Sequence, residues 1–382
     1  MARARKANAV QSKIACLLWG EQGTGKSTMS LQSAYLKRPD GKPFRVLYID
    51  PESGSVDDYM ENLIADGINV ENIYIIYSQS LEEIRGYIRK ATNNEPFYEL
   101  DDDGNETDQV VLDADGEPFC PDMIVIDGTA VLYMTSQQGL INFSKKRAAV
   151  RAKKKEIIGD ERLVSVENAG MEQKDWGTLK FKGQDLILDL TACGKHYIIT
   201  AREKNETKTI EKNGTTMSVA TGRKIPDSFS GVGYNVKTEI RMFRDPEDYE
   251  TVCAQVIKDR TQVHQPGEII EDPTLLDWQK IIDRTAKNEA HVIRNNLVES
   301  AKIEERLYTK SVEDFASDEP EKDAELSIED KVAELLKRKN ALSPAKKQQL
   351  KAALENAGLP IAFKNIKDVA VVDAIAAKFE EL

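Results

Sequence analysis

The chain has 382 residues, 65 Asp+Glu against 53 Lys+Arg, a formal net charge of −12 and a hydrophobic fraction of 40 %. That length exceeds one small module and suits one large domain with an appendage. The acidic balance argues against a protein that binds nucleic acid through bulk charge alone, and no apolar run approaches the roughly 18 residues of a membrane span.

In chain order, short apolar runs at residues 13–20, 45–50, 73–77, 123–127 and 197–200 have the length and the Ile/Val/Leu/Tyr content of strands buried on both faces. Helical patterns lie between them at about 25–35, 56–66, 80–92 and 177–193. This alternation predicts an α/β fold, a mostly parallel sheet with helices on both faces. Residues 237–243 and 250–257 alternate around Asp245-Pro246-Glu247-Asp248 and predict a hairpin closing the sheet's edge. Residues 95–121 carry Asp101–Asp103, Asp115-Gly116 and the short run 109–112, an inserted acidic hairpin. Its spacing lacks the Gly and Glu positions of a calcium loop.

The expected domains are a basic N-terminal tail (1–12), the α/β core (13–270), a helix with an acidic linker (271–326) and a small helical module (327–382). The module's three helices are expected near 327–339, 344–357 and 366–380. Ser343-Pro344 fits an N-cap and first helical position, and Gly358 a helix stop. Cys16, Cys120, Cys193 and Cys253 form no CxxC pair and stand apart from His196, His264 and His291, which predicts reduced thiols. The basic start Met1–Lys6 is followed by no apolar stretch, so no secretory leader is expected. The expected location is the cytoplasm, with no membrane partner.

Gly20-Glu21-Gln22-Gly23-Thr24-Gly25-Lys26-Ser27 fits GxxxxGK[ST], the phosphate-binding loop. Its glycines let backbone N–H groups wrap a β-phosphate, Lys26 reaches the β/γ oxygens, and the Ser27 hydroxyl ligates Mg2+. Gly20, Gln22, Gly23, Thr24, Gly25, Lys26, Ser27 and Thr28 are therefore the expected nucleotide contacts. The apolar strand ending at Asp127 supplies a carboxylate that would hold Mg2+ through water. Tyr48-Ile49-Asp50-Pro51-Glu52 ends the strand after the P-loop helix. Glu52 is the candidate base, with Asp50 and Glu52 as merely solvated loop acids the alternative.

These elements together resemble the ATPase core of the RecA family, over about residues 13–270. The resemblance implies ATP and Mg2+ as cofactors and Glu52 as the residue that activates water. Val256-Ile257-Lys258-Asp259-Arg260 is similar to the K-N-K or K-N-R element of RecA-like and RadA/DnaB-like proteins. Lys258 and Arg260 would then act in the neighbouring subunit's site, as catalytic fingers of a head-to-tail homo-oligomer, ring or filament. The sensor strand ends Thr200-Ala201-Arg202-Glu203 where RecA has Gln, which leaves Thr200 and Arg202 as sensor candidates. The compact core most resembles phage-encoded RecA-like ATPases of single-strand annealing and recombination, which places it in the host cytoplasm. A replicative helicase core, a helicase loader, a packaging ATPase and a non-catalytic nucleotide-dependent scaffold remain alternatives.

In such a core, the loops after the Asp127 and sensor strands face single-stranded DNA. The first contains Lys145, Lys146, Arg147, Arg151, Lys153, Lys154 and Lys155, seven basic residues in eleven. A helix puts Arg147, Arg151 and Lys154 on one face, able to follow phosphates. The second, 204 to about 233, holds Lys204, Lys208, Lys212, Arg223 and Lys224 and reads as a mobile loop, ordered by DNA or a neighbour. Trp176, Phe181, Phe229 and Tyr234 are sparse stacking candidates, so backbone binding without base readout is expected. The helical module could hook a replication or recombination partner or touch DNA. Residues 91–144 carry 12 acidic and no basic residues and 311–330 nine acidic residues and one lysine, which leaves +8 on the rest of the chain.

Overall fold

The computed structural model describes residues 12–285 except 55, 102–103 and 213–214, then 300–302, 304–305, 328–363, 366 and 368–380. The N-terminal tail, the acidic linker and most of the helix expected up to residue 308 lie outside the described residues. Two compact units are present, residues 1–302 and 303–382.

The first unit runs β1 (Ala15–Gly20), α1 (Lys26–Leu31), β2 (Val46–Ile49), α2 (Asp57–Ala65), β3 (Ile73–Ile76), α3 (Leu81–Asn93), β4 (Tyr98–Leu100), β5 (Glu106–Val110) and β6 (Met123–Ile126). It continues with α4 (Thr129–Lys154), α5 (Gly159–Glu167), α6 (Gln173–Ala192), β7 (His196–Lys212), β8 (Thr215–Asp227), α7 (Val232–Asn235), β9 (Thr238–Arg244), β10 (Val252–Asp259), β11 (Ile269–Glu271) and α8 (Gln279–Thr285). The main sheet has the order β11-β10-β9-β1-β7-β6-β2-β3, with β8 paired to β7 alone. The pairs β2/β3, β2/β6, β6/β7, β1/β7 and β1/β9 are parallel. Only β10, β11 and β8 run antiparallel to their neighbours.

Every residue of β1, β2 and β6 is buried, as strands covered on both faces require. Leu17 and Trp19 of β1 join a cluster with Ile84 and Ile88 of α3, Leu132 of α4 and Leu186 and Leu190 of α6. Cys16 and Leu18 face the other way, into Met29 and Leu31 of α1, Leu63 of α2 and Ile281 of α8. Alternate residues of one strand thus build two cores, and helices lie on both faces. The fold is the expected α/β arrangement, a mostly parallel sheet with helices on both faces. It places the carboxyl ends of β1, β2, β6 and β7 along one edge, where a ligand of such a sheet sits.

Three departures are physical. The expected helix over 25–35 becomes α1 plus a 3-10 turn over Gln32–Tyr35. The 237–257 hairpin forms, but β11 pairs outside β10, so it does not end the sheet. The segment 204–233 is not an irregular loop: β7 and β8 pair from Arg202/Asp227 to Lys212/Thr215 as a long two-stranded ribbon. The acidic insertion forms its own β4–β5 pair, continued by a bridge between Leu112 and Pro118. Cys16, Cys193 and Cys253 are buried, Cys120 is half-buried, and none is in a disulfide.

The second unit contains α9 (Ile328–Asn340), α10 (Pro344–Asn356) and α11 (Val369–Glu380). Leu335, Leu350, Leu354, Phe363, Val372 and Ile375 form its small core. The Ser343 hydroxyl caps α10 by accepting from the Lys346 N–H, and Pro344 follows at its first position.

Candidate nucleotide site

The loop between β1 and α1 is shaped by its neighbour β9. Gly20 has φ 149°, and a Cβ there would lie 1.8 Å from the Met242 carbonyl oxygen. The Glu21 N–H donates to that oxygen at 3.3 Å. Gly23 and Gly25 take left-handed φ values of 73° and 75°, which turns successive N–H groups inward, as a phosphate cradle needs. The Thr24 hydroxyl, fully buried, closes the loop by donating to the Glu21 carbonyl at 2.9 Å. Lys26 Nζ donates to the carbonyls of Gly20 and Glu21. Burial lowers its pKa, opposed by the charges of Asp127 and Glu52. Gly25 and Ser27 are half-buried; Gln22 and Thr28 are exposed.

Asp127 directly follows β6 and is 5 % exposed. Its Oδ2 accepts from the Tyr48 hydroxyl at 2.7 Å and its Oδ1 from the Thr200 hydroxyl at 2.5 Å. Tyr48 also contacts the Ser30 hydroxyl of α1 at 3.1 Å, and burial pushes its pKa well up. Residues of β2, β6, β7 and α1 therefore lock one carboxylate in place. The Thr129 hydroxyl donates to the Thr200 carbonyl at 2.7 Å and fixes the turn into α4. Among the described residues no cluster of three His, Cys, Asp or Glu side chains could hold a metal ion. One hydroxyl (Ser27) and one carboxylate already engaged by two donors suit Mg2+, which keeps waters and takes phosphate oxygens instead of an all-protein cage.

Glu52 follows β2 and is held from three directions. Asp50, fully buried, accepts the N–H groups of Glu52, Ser53 and Gly54 at 2.9, 3.1 and 2.9 Å, an Asx-type turn that fixes where residue 52 leaves the strand. The Glu52 side chain packs on Gly128, where a Cβ would come within 2.8 Å of its Cγ. Glu52 Oε1 accepts from Arg202 Nη2 at 2.9 Å. Of the two sensor candidates, Thr200 thus meets Asp127 and Arg202 meets Glu52.

Lys258 follows an irregularity in the β9/β10 pairing, between Val256 and Lys258. Its Nζ donates to the Gly233 carbonyl, and burial lowers its pKa. Arg260 is exposed. Two features carried no sequence motif. Arg244, at the end of β9, donates to the Gly23 carbonyl at 2.8 Å and to Tyr249 and Glu250 carbonyls, which ties the β9–β10 turn to the P-loop. A cavity of about 350 Å³ opens beside Thr28, lined among others by Tyr59, Asn62, Leu63 and Tyr35. The signal for Arg244 is only a basic residue ending a strand next to β1.

The basic segment belongs to α4, which runs straight on from Asp127. Arg147 donates to both carboxylate oxygens of Asp175 and to the Ser144 hydroxyl at 2.8 Å. Those bonds outweigh burial and hold the Asp175 pKa down at about 2. Arg151 pairs with Glu172 at 2.8 Å and Lys145 with Glu167 at 2.5 Å. Of the expected face, Arg147 and Arg151 thus meet acids of the following helices. Lys146, Lys153, Lys154 and Lys155 are exposed. On the ribbon, Lys204 pairs with Asp227 at 2.8 Å and Lys224 with Glu203 at 3.0 Å, while Arg223 is exposed. Trp176, Phe181 and Tyr234 are exposed, Tyr234 at 83 %; Phe229 is 3 % exposed, packed against Gly183 and the Tyr133 ring.

No protein-family model matches the chain, and no curated protein is similar to it at a significant level. Among solved structures, it is similar to a KaiC-like protein from the hyperthermophilic archaeon Pyrococcus horikoshii OT3. The identity is 13 % and the TM-score 0.38, over 68 % of this chain and 89 % of that one. Among the described residues no helix is long and apolar enough to cross a membrane.

Proposed function

We propose that the chain is an ATP-dependent, DNA-binding RecA-like ATPase of phage-type recombination or single-strand annealing, hydrolysing ATP at the interfaces of a head-to-tail oligomer. The observation that carries this reading is the convergence of Lys26, Asp127 and Glu52 on one sheet edge, with Glu52 oriented by Asp50, Gly128 and Arg202. The loop amides and Lys26 bind the β- and γ-phosphates, and Thr28 leads to the neighbouring cavity, which has room for the base. Ser27 and Asp127 would hold Mg2+, which would supply positive charge against the phosphates. Glu52 accepts the proton of the attacking water. The Arg202 contact holds the Glu52 carboxylate at the lip of the site, at the root of the β7–β8 ribbon. Lys258 and Arg260, at the far end of β10, support action on a neighbour's γ-phosphate. The exposed lysines of α4 and Arg223 of the ribbon support backbone contacts to single-stranded DNA.

Phosphate release from ATP with and without a single-stranded oligonucleotide tests the reading. Wild-type protein is expected to turn over ATP, faster with DNA, and to anneal complementary strands. Lys26→Ala should lose nucleotide binding. A wild-type protein that binds no nucleotide sinks the enzyme reading; turnover indifferent to DNA sinks the DNA half. Unwinding of a forked duplex without annealing would favour a helicase.

A further inference from the structure

The second unit carries a basic surface that the nucleotide site does not use. Between Leu335 and Leu354 the sequence has six basic residues (Lys337, Arg338, Lys339, Lys346, Lys347 and Lys351) and no acidic one. The fold brings the end of α9 and the start of α10 together across the three-residue connection 341–343. The Ala341 N–H donates to the Lys337 carbonyl, and the Lys347 N–H to the Ser343 carbonyl.

The six residues are not equivalent. Arg338 pairs with Glu334 at 3.0 Å. Lys339 bends back to the Ile361 carbonyl at 2.8 Å and lies 4.7 Å from the centre of the Phe363 ring, so it braces the module's core. Lys351 is 3.9 Å from Glu355. Lys337, Lys346 and Lys347 are exposed and enter no ion pair among the described residues. Three ammonium groups near one helix junction, with no ion pair among the described residues, suit an anionic partner.

The chemistry of the surrounding surface decides which one. Among the described residues of this unit, the exposed large apolar side chains are Ile361 and Val369, both outside the 335–354 segment. The residues beside the lysines are Asn340, Ala341, Ala345, Gln348 and Gln349, all exposed. A protein interface needs buried aromatic, Met or aliphatic anchors at its centre, and this patch offers none. Point charges flanked by amides and small residues fit a phosphate backbone, which is bound by charge with little burial.

We infer that the α9–α10 junction is a second nucleic-acid contact, in which Lys337, Lys346 and Lys347 bind backbone phosphates independently of the ATPase core. The contact does not rest on the core's own activity. A tethered second contact raises the local concentration of strand for the first, so its loss is felt in the affinity of the whole chain.

The test uses the full-length chain and a fluorescent 30-nucleotide single strand, read by anisotropy at several salt concentrations. Triple variants Lys337→Glu/Lys346→Glu/Lys347→Glu, and the same three positions to Gln and to Arg, are compared with Lys153→Glu/Lys154→Glu/Arg223→Glu in the core. The Gln triple is expected to weaken binding about tenfold and to reduce the slope of log K against log salt by about 2, since three phosphate contacts at about 0.7 each are lost. The Glu triple should weaken it further, and the Arg triple should bind as wild type. Unchanged melting temperatures establish that the folds are intact. Equal affinity and slope for the wild type and the Gln triple would overturn the inference, as would an equal loss in the Arg triple. An unaffected core variant beside a weakened Gln triple would refute DNA binding by the core and leave this contact standing. Recovery of an acidic protein partner whose binding the Gln triple loses, with DNA affinity unchanged, would contradict it in favour of a protein ligand.

Discussion

Gly20 is required by a backbone oxygen of β9 at least as much as by a phosphate. Its missing Cβ leaves room for the Met242 carbonyl, so the P-loop is pre-formed by the sheet. His196 shows the same economy in the core. It is buried, accepts the Ile14 N–H at its Nδ1 at 3.1 Å and packs on the Phe44 ring; burial, with Lys13 and Lys237 nearby, pulls its pKa well down. The folded state therefore keeps it neutral where the unfolded chain protonates it near pH 6.5. Stability from this group is complete above pH 6.5 and declines as the pH falls below it, by up to about 1.4 kcal/mol per pH unit. Chemical denaturation from pH 7.5 to 5 should show that decline, and His196→Phe, though less stable, should flatten it. An unchanged slope in the variant would contradict the assignment.

At the scale of elements, α4 separates two kinds of basic residue. Arg147 clamps α4 to the N-terminal turn of α6 through Asp175, which also caps that turn by accepting the Glu172 N–H at 2.8 Å. Lys153 and Lys154, near the helix end, are exposed. Arg147→Ala should lower the melting temperature by about 4 °C or more, whereas Lys153→Ala/Lys154→Ala should leave it within a degree and weaken DNA binding a few-fold. A thermally silent Arg147→Ala would show that the clamp contributes nothing to the fold. The sequence made β1, β2 and β6 legible because both faces are buried, and the half-buried edge strand β3 because its apolar run is continuous. It marked residues 20–27, Asp127 and Glu52 by spacing and by strand ends, and the structure sets them at the carboxyl ends of β1, β6 and β2. The β7–β8 ribbon was hidden because pairing outside the core needs no buried face, and Thr, Lys and Glu then read as a loop. The Arg147–Asp175 and Arg202–Glu52 pairs were hidden for another reason. Their partners lie 28 and 150 residues apart, and no local pattern marks a long-range ion pair.

At the scale of the whole molecule, the acidic sum conceals segregation. The acidic stretch 91–144 includes the separate β4–β5 pair, where Lys90 meets Glu106, and the turn after it, where Lys42 meets Asp115 at 2.7 Å; basic residues are enriched on α4, on the ribbon and at the α9–α10 junction. An acidic chain can therefore present basic surfaces to a strand while its excess negative charge sits elsewhere. Hydrolysis at the sheet edge turns on Glu52 as the base. The most direct test is single-turnover hydrolysis of ATP by wild type and Glu52→Gln, with nucleotide affinity measured on the same samples. The variant is expected to bind ATP as well as the wild type and to hydrolyse it at least about 100-fold more slowly. Equal hydrolysis rates in the two proteins would contradict it.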